Sequence, residues 1–486
     1  MIKKFNLFNA IVYFYVLLPI MIFLLGWTRW FIAIPGVIVL AICWFRMSKD
    51  DLMFDLPKPD KHQMEILVFV LMMIVLWVYL SGIGKFVFQN TDHDCRNPIF
   101  DILVNYKWPA TRQMLTETGM TTKGLIYYIG FWMPAAVVGK LFGLTAGYCF
   151  QAVWAVIGIF LVYMLISSIL KEIKIWPLLV MIFFSGMDIL GYFLVNGGFE
   201  NLHPADHLEW WCNFQFSSMT TQLFWVFNQA IPAWLIFLLI YKQRKNKYIA
   251  VLLGCALLCS TLPFVGMLPF VVYWVFSRKY ELSEGLSKWR IWIKDTFSLE
   301  NIFGGGIAGI VSFIYLIGNE ASQNIVSTGS SNDKRAILCI YILFIIIEAG
   351  CYFVAIYQYQ KRNPLFYISF LWLCFCPCMR VGFGADFCMR ASIPALFLLM
   401  MMVMQTLQKS KRESNKLVLM SLIVILLIGS VTPWHEIIRT TSNTMTAYRN
   451  HQPVYSPSQT EDQIFGSCNF SGTIKDSFFF RYLAKR

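Results

Sequence analysis

The residues best suited to chemistry lie in a polar segment that directly follows an apolar run at 65–84. Two carboxylates flank an imidazole at Asp92, His93 and Asp94. A carboxylate beside a hydroxyl group can act as a general base, and a second one can hold a divalent ion or orient the first. The pattern therefore predicts Asp92 and Asp94 as catalytic, although a solvated polar loop without function is the alternative. The neighbours predicted to bind substrate are His93, Arg96 and Asn97.

A second polar segment carries possible metal ligands and two adjacent indoles: His203, Asp206, His207, Glu209, Trp210 and Trp211. Their spacing fits no standard zinc signature, so an oxygen-rich Mg²⁺ or Mn²⁺ site shared with the first segment is the metal prediction. Its predicted ligands are Asp94, His203, Asp206 and His207. The alternative is an interfacial loop, because tryptophans suit the lipid headgroup region. Both indoles, with His203, His207 and Glu209, are also predicted to bind substrate, since indoles can stack on the apolar face of a sugar.

A third segment contains Arg380, Asp386 and Arg390. Guanidinium groups match phosphate oxygens with two parallel hydrogen bonds, which predicts a lipid phosphate or pyrophosphate as the ligand. The alternative is that Arg390 and Asp386, four residues apart, only satisfy each other. Three basic residues of the first segment could join the phosphate site: Arg96, Lys107 and Arg112.

The elements that position these segments are apolar helices. The chain has 486 residues, of which 58% are hydrophobic and 14% charged, against about 25% charged in an average soluble domain. Apolar runs such as 65–84 and 148–170 are long enough to cross a bilayer. The composition therefore predicts an all-α polytopic membrane protein.

Lysines and arginines cluster at alternate ends of the apolar runs, which places those ends in the cytoplasm. The clusters fit about 13 transmembrane helices if 124–143 stays juxtamembrane or re-entrant. Residues 1–432 are then the transmembrane domain, and 433–486 form a short tail outside. The predicted outer loops are 85–147, 197–221 and 379–390.

The same distribution of charge argues against nucleic acid as a partner, because the formal charge of +13 is not arranged as a basic stripe. Neither a P-loop nor a GxGxxG motif is present, so a nucleotide-driven reaction lacks its phosphate cradle. Cys95 and Cys212 lie in two different predicted outer loops, where a disulfide between them is possible. Sequence alone does not determine whether the disulfide forms. Asp188 and Glu348 interrupt apolar runs, and an acid inside a membrane is a functional candidate, but the sequence names no partner for either.

The order of these features resembles the GT-C class of membrane glycosyltransferases, which use polyprenyl-phosphate sugars. An exit helix is followed by an acidic loop, an aromatic and proline-containing juxtamembrane stretch, and a returning helix with basic residues at its end. The matching residues are Asp92, Asp94, Tyr127, Tyr128, Pro134, Gly139–Gly143, Lys171 and Lys174. Trp210–Trp211 and Asp386–Pro394 also resemble a group of bacterial membrane proteins. The resemblance covers mainly 65–240 and 380–395.

The resemblance implies a GT-C-like fold with juxtamembrane helices in the first large outer loop. It also implies inverting transfer of a hexosyl or pentosyl group from a polyprenyl-phosphate donor to a glycan or lipid acceptor. Asp92 or Asp94 would be the base, Arg380 or Arg390 would bind phosphate, and Tyr127 and Tyr128 would bind substrate. The site would face outward from the bacterial cytoplasmic (inner) membrane.

Two departures from the class stand out: two helices precede the one before the acidic loop, and the C-terminal tail is small. Alternative functions are a transporter or flippase of lipid-linked glycans, and a polymerase or ligase of surface glycans. A transporter should show paired halves and broken helices, and a polymerase should show outer loops rich in Arg and His.

Overall fold

The computed structural model describes residues 5–49, 54–56, 58–116, 119–200, 202–203, 206–278, 288–323, 334–381, 384–455 and 458–485. The protein is 73% helical. Its helices are α1 Leu7–Trp27, α2 Trp30–Ser48, α3 Lys61–Leu80, α4 His93–Asn105, α5 Met133–Phe142, α6 Leu144–Leu170, α7 Trp176–Phe183, α8 Asp188–Asn196, α9 Met219–Lys242, α10 Ile249–Cys259, α11 Thr261–Ser277, α12 Lys288–Thr296, α13 Gly306–Leu316, α14 Lys334–Ile345, α15 Cys351–Gln360, α16 Pro364–Phe375, α17 Asp386–Ala391, α18 Ile393–Arg412, α19 Lys416–Gly429, α20 Val431–Arg449 and α21 Glu461–Gly466.

Ten helical segments of the described chain are long and apolar enough to cross a membrane. They are Leu7–Trp27, Trp30–Ser48, Lys61–Leu80, Leu144–Leu170, Trp176–Asn196, Met219–Lys242, Lys288–Leu316, Ile337–Gln360, Ile393–Arg412 and Lys416–Arg449. The polytopic membrane class is thus supported. Three further predicted spans coincide with the shorter apolar helices α10, α11 and α16, so the count of about 13 stays a prediction.

The segment 124–143 holds only a short apolar helix, Gly130–Phe142. At 1.5 Å per residue this helix is about 20 Å long, too short for a hydrocarbon core of about 30 Å. Before it runs an antiparallel hairpin that the all-α prediction did not include, formed by β1 Thr111–Thr116 and β2 Gly119–Leu125.

The residues after 432 fold back onto the first loop. Helix α20 continues the direction of α19, and the hydroxyl of Thr444 accepts a hydrogen bond from the Phe88 amide at 2.9 Å. Further on, β3 Ser471–Thr473 pairs with β2 and completes a three-stranded sheet in the order β1-β2-β3. The C-terminal segment is therefore part of the structure that holds the first loop.

Helix α9 is the central element of the bundle, since its apolar window is entirely buried. The Ser218 side chain caps its N-terminus by accepting from the Thr221 amide, which satisfies one backbone donor that has no partner in the helix. The helix is interrupted at Val226, where φ is −132° and ψ is 35°. The nearby Phe224 backbone carbonyl accepts a hydrogen bond from the side-chain amide of Asn90 at 2.8 Å. The irregular turn therefore anchors the first loop.

The basic clusters lie at one end of the bundle, which is the end that the charge distribution predicts to be cytoplasmic. Asp55 contacts Lys171 and Lys242, and Glu300 pairs with Arg46 at 3.0 Å. Helices α6 and α9 both run toward this end, so the polar loops before α9 lie at the opposite end. At about 1.5 Å per residue, helices of this length separate the two ends by more than the thickness of a bilayer core.

Candidate functional site

A cavity of about 730 Å³ opens where four helical segments begin or end. Its walls come from the first loop, the second loop, the start of α14 and the residues around α17. The lining residues are Asp92, Trp210, Cys212, Asn213, Phe214, Gln215, Trp225, Ile337, Ile340, Arg380, Gly384, Ala385, Asp386, Met389 and Arg390. The structure thus brings together one predicted catalytic acid, one predicted indole and all three charged residues of the third segment. The volume lies within the usual range for small-molecule sites, about 300–1,000 Å³.

Asp92 sits at the N-terminus of α4 and reaches the cavity with 31% of its side chain exposed. Its Oδ2 accepts a hydrogen bond from Nη2 of Arg96 at 2.6 Å. The two residues are one helical turn apart, which puts their side chains on the same face. Arg96 is 2% exposed, and its Nε and Nη1 have no hydrogen-bond partner among the described residues.

Burial raises the pKa of the Asp92 carboxyl, but the positive charges of Arg96 and Arg390 outweigh it and set the pKa below its usual value. Asp92 is therefore a carboxylate at neutral pH, able to accept a proton. Its lowered pKa makes it a weaker base than a free carboxylate.

His93 is buried and takes no part in the cavity lining. Burial, reinforced by the charge of Arg96, lowers its pKa to about 3. The neutral ring lies 3.2 Å from the Phe224 carbonyl through Nε2 and 3.1 Å from the Gln89 amide through Nδ1. It anchors the first loop to α9.

Arg390 connects the third segment to the juxtamembrane stretch. Its Nη2 lies 3.2 Å from Oδ1 of Asp386, the pair expected from their spacing. Its Nη1 donates to the hydroxyl of Tyr128 at 3.1 Å, and that hydroxyl also accepts a hydrogen bond from Tyr127. Both tyrosines are thus behind the cavity wall, where they orient the guanidinium. The pair with Asp386 does not use Nε of Arg390, which is buried without a partner in the described chain.

Arg380 contrasts with Arg390 because it is exposed at the cavity. Among the described residues its guanidinium has no hydrogen bond or ion pair. Ile337 and Ile340, at the start of a candidate membrane span, contribute apolar side chains to the same lining. The cavity lining therefore contains both an exposed guanidinium group and apolar side chains.

The two adjacent indoles of the second loop, Trp210 and Trp211, point in different directions. Trp210 lines the cavity and is 61% exposed. Trp211 is 5% exposed and donates its indole N–H to Oε1 of Glu348 at 3.1 Å. Sequence alone could not separate the two, since adjacent residues give no sign of which side chain turns inward.

Behind Trp210 lies a buried charge cluster that the sequence did not reveal. His207 Nδ1 lies 2.8 Å from Glu436, and His207 Nε2 lies 3.4 Å from Glu209. Burial lowers the pKa of His207, but Glu436 and Glu209 more than compensate and raise the pKa to about 9. His207 is thus an imidazolium at neutral pH. Glu436 also accepts from Arg439 at 2.7 Å.

The predicted metal ligands do not converge. Asp94 is absent from the cavity lining, and its backbone carbonyl accepts from the Gln459 amide at 2.9 Å. His203 and Asp206 are exposed and hydrogen-bonded to each other, while both ring nitrogens of His207 face glutamates, Glu436 and Glu209. In the described chain no three His, Cys, Asp or Glu side chains are placed to hold a metal ion. The structure therefore does not bring the four predicted ligands together.

Several predicted residues hold the loops together. Asn97 donates to the Gln89 amide oxygen at 2.8 Å. Arg112 pairs with Glu461 at 2.7 Å, and Lys107 is exposed outside the cavity lining. Cys95 and Cys212 are both free thiols. Cavity or supporting residues that were not predicted are Asn213, Gln215, Trp225, Glu436 and Arg439; the last two lie in what looked like a tail.

Compared with known proteins, the chain matches no family model, no curated protein and no solved structure.

Proposed function

We propose that the protein is a membrane glycosyltransferase that moves a sugar from a polyprenyl-phosphate donor to a glycan or lipid acceptor of the cell envelope. The observation that carries this proposal is the composition of the cavity. An ionised carboxylate, two guanidinium groups, an exposed indole and an apolar wall beside a membrane span meet in one space. The carboxylate suits the acceptor hydroxyl, and the guanidinium groups suit the lipid phosphate. The indole suits the sugar ring, and the apolar wall suits the isoprenoid chain.

In this reaction Asp92 accepts the proton of the acceptor hydroxyl as its oxygen attacks the anomeric carbon. The bond between that carbon and the phosphate oxygen breaks, and the electron pair leaves with the polyprenyl phosphate. Attack from the face opposite the leaving group inverts the anomeric centre. Arg380 and Arg390 stabilise the negative charge that grows on the phosphate.

Asp92 is the better candidate for the base than Asp94. Asp92 lines the cavity and keeps 31% of its side-chain exposure, whereas Asp94 is absent from the lining. Arg96 fixes the Asp92 carboxylate from the buried side, which leaves the opposite side of the group for the acceptor. The site is proposed to face outward from the bacterial inner membrane, because the basic clusters lie at the other end of the bundle.

Replacement of Asp92 by Asn is the direct test. We expect transfer from a hexosyl polyprenyl phosphate, assayed in proteoliposomes, to fall about 100- to 10,000-fold, the usual contribution of a general base. Asp94→Asn is the matched control, because Asp94 lies in the first turn of α4, two residues from Asp92, and we expect this variant to keep most of the activity. Equal activity of wild type and Asp92→Asn would show that Asp92 is not the base.

A transporter of lipid-linked glycans is the second candidate, because the span Trp176–Asn196 is broken at 184–187 beside a π-helical turn at Ile346–Gly350. Broken membrane helices are common in transporters. A fluorescent hexosyl lipid in acceptor-free vesicles separates the two candidates. Rapid equilibration of the lipid between leaflets favours transport, whereas product formation only after addition of acceptor favours transfer.

A further inference from the structure

The cavity has an aromatic corner, which we define as the rings of Trp210 and Trp225. Both rings line the cavity, their centroids are 5.7 Å apart and their planes are inclined by 66°. Trp225 is 8% exposed, while Trp210 is 61% exposed. The corner therefore presents one broad open ring face and a second ring that closes its side.

Both indole N–H groups of the corner are already used by the protein. Trp210 donates to Oε1 of Gln215 at 3.2 Å, and Trp225 donates to Oε2 of Glu436 at 3.0 Å. Neither indole can donate to a ligand without losing such a bond. What the corner offers is the ring surface, which suits a ligand with an apolar face.

The rings are held from behind by the buried charge cluster. The His207 ring lies 4.9 Å from Trp210 and 4.7 Å from Trp225, measured between ring centroids. The guanidinium of Arg439 lies 5.1 Å from the centre of the Trp225 ring. Fixed rings lose little conformational freedom when a ligand stacks on them, which favours a pre-organised binding surface.

Polar groups border the corner. Asn213 is exposed at the cavity, and among the described residues its amide has no hydrogen-bond partner. The Asp92 carboxylate lines the same space. An isoprenoid chain would leave these groups unpaired, whereas a ring with hydroxyls on its edge and C–H groups on its face would use both features.

We infer that the aromatic corner, with Asn213, is the subsite that binds the sugar ring of the donor, and that the phosphate lies toward Arg380 and Arg390. This inference rests on the proposed function for the identity of the donor. His207 acts as a positioning residue, because it contacts both rings and does not itself line the cavity.

The test is a binding measurement that needs no transfer. The probes are two short-chain isoprenyl phosphates, one bare and one carrying a hexose, with glucose, galactose and mannose tried in turn. Binding to detergent-solubilised full-length protein is measured by calorimetry. We expect Trp210→Ala to weaken binding of the hexosyl lipid about tenfold, in line with the usual value of an aromatic contact, and to change binding of the bare lipid less than about twofold. Trp210→Phe, which keeps a ring, should recover part of the loss.

Trp30→Ala is the matched control, since Trp30 is 74% exposed and is absent from the cavity lining; it should bind both lipids as wild type does. Equal weakening of both lipids by Trp210→Ala would overturn the inference, because the indole would then hold lipid or structure. Wild-type protein that prefers none of the hexosyl lipids to the bare lipid would overturn it too. This binding measurement is independent of the Asp92→Asn assay. If Asp92→Asn keeps full transfer activity while Trp210→Ala selectively weakens binding of the hexosyl lipid, the proposed reaction is wrong and the sugar subsite stands.

Discussion

Two of the regions that contain buried carboxyl groups compensate the charge of those groups in different ways. Beside the cavity, Glu436 is 1% exposed and faces two cations, His207 and Arg439. Inside the membrane spans lies a second pair of acids, Asp188 and Glu348, each 1% exposed. Among the described residues neither member of this pair has a Lys, Arg or His within ion-pair distance.

The difference shows how each region avoids an isolated buried charge. Burial of a carboxylate with no cation nearby is so unfavourable that the group keeps its proton instead, so we expect Asp188 and Glu348 to be neutral. The contacts of the pair are neutral: Ser185 and Thr432 donate to Asp188 at 3.0 and 2.8 Å. The charge of Glu436 is thus neutralised by cations, whereas the membrane pair is expected to be neutral through protonation.

The largest effect is expected where an ionised carboxylate is removed. Glu436→Gln leaves His207 and Arg439, 1% and 9% exposed, without their shared anion. Loss of one partner of a buried ion pair costs about 3–5 kcal/mol. The midpoint of thermal unfolding in detergent, followed by tryptophan fluorescence, should therefore fall. Glu65→Gln is the control, because Glu65 is 65% exposed and should tolerate the change. An unchanged midpoint for Glu436→Gln would contradict the ionised cluster.

A somewhat smaller effect is expected from pH. A pKa raised from 6.5 to about 9 means that folded His207 binds its proton more tightly than the unfolded chain does. The stabilisation is complete below pH 6.5 and is lost as pH rises through about 9, a change of roughly 3 kcal/mol. The His207 ring contacts Glu209 and Glu436. His435 is near enough to interact with its charge, and Arg439 contacts Glu436.

Unfolding of wild type and His207→Gln should be compared at pH 6, 7.5 and 9. The difference in stability between them should shrink as pH rises, because the variant has no proton to lose at this position. A difference that stays constant would mean that His207 is not protonated in the folded protein.

The smallest effect is expected in the membrane pair. Glu348→Gln replaces one neutral hydrogen-bonding group by another of the same shape, so the free energy of unfolding should change by less than about 1 kcal/mol. The measurement is the same thermal unfolding at pH 7. If this variant loses as much stability as Glu436→Gln, the pair is ionised and the contrast between the two regions is wrong.

Part of the candidate site followed from local sequence. The i, i+4 spacing of Asp386 and Arg390 offered an ion pair as one of two alternatives for this segment, and the structure contains that pair. The charge clusters also predicted which loops share one end of the bundle, and Asp92, Trp210 and Arg380 do line one cavity. Local spacing is informative here because helix geometry and the positive-inside rule act over a few residues.

The partners of the acids could not be predicted, because they are remote in sequence. His207 meets Glu436 after 229 residues, and Asp188 meets Glu348 through the contact of a broken helix with a π-helical turn. The close approach needs Gly186, where a side-chain carbon would stand 1.8 Å from Oε2 of Glu348. Such a close contact depends on packing between helices, and it produces no periodic pattern in the sequence.

By itself the sequence determined that this is a helical membrane protein with three polar segments between its apolar runs, because apolar length and the placement of charge are local properties. Only the tertiary structure decided that Asp92 and not Asp94 lines the cavity, that Trp210 lines it while Trp211 turns inward, and that the C-terminal segment supplies Glu436. The reason is that burial and charge compensation are properties of the surroundings of a side chain, and those surroundings exist only after distant segments pack together.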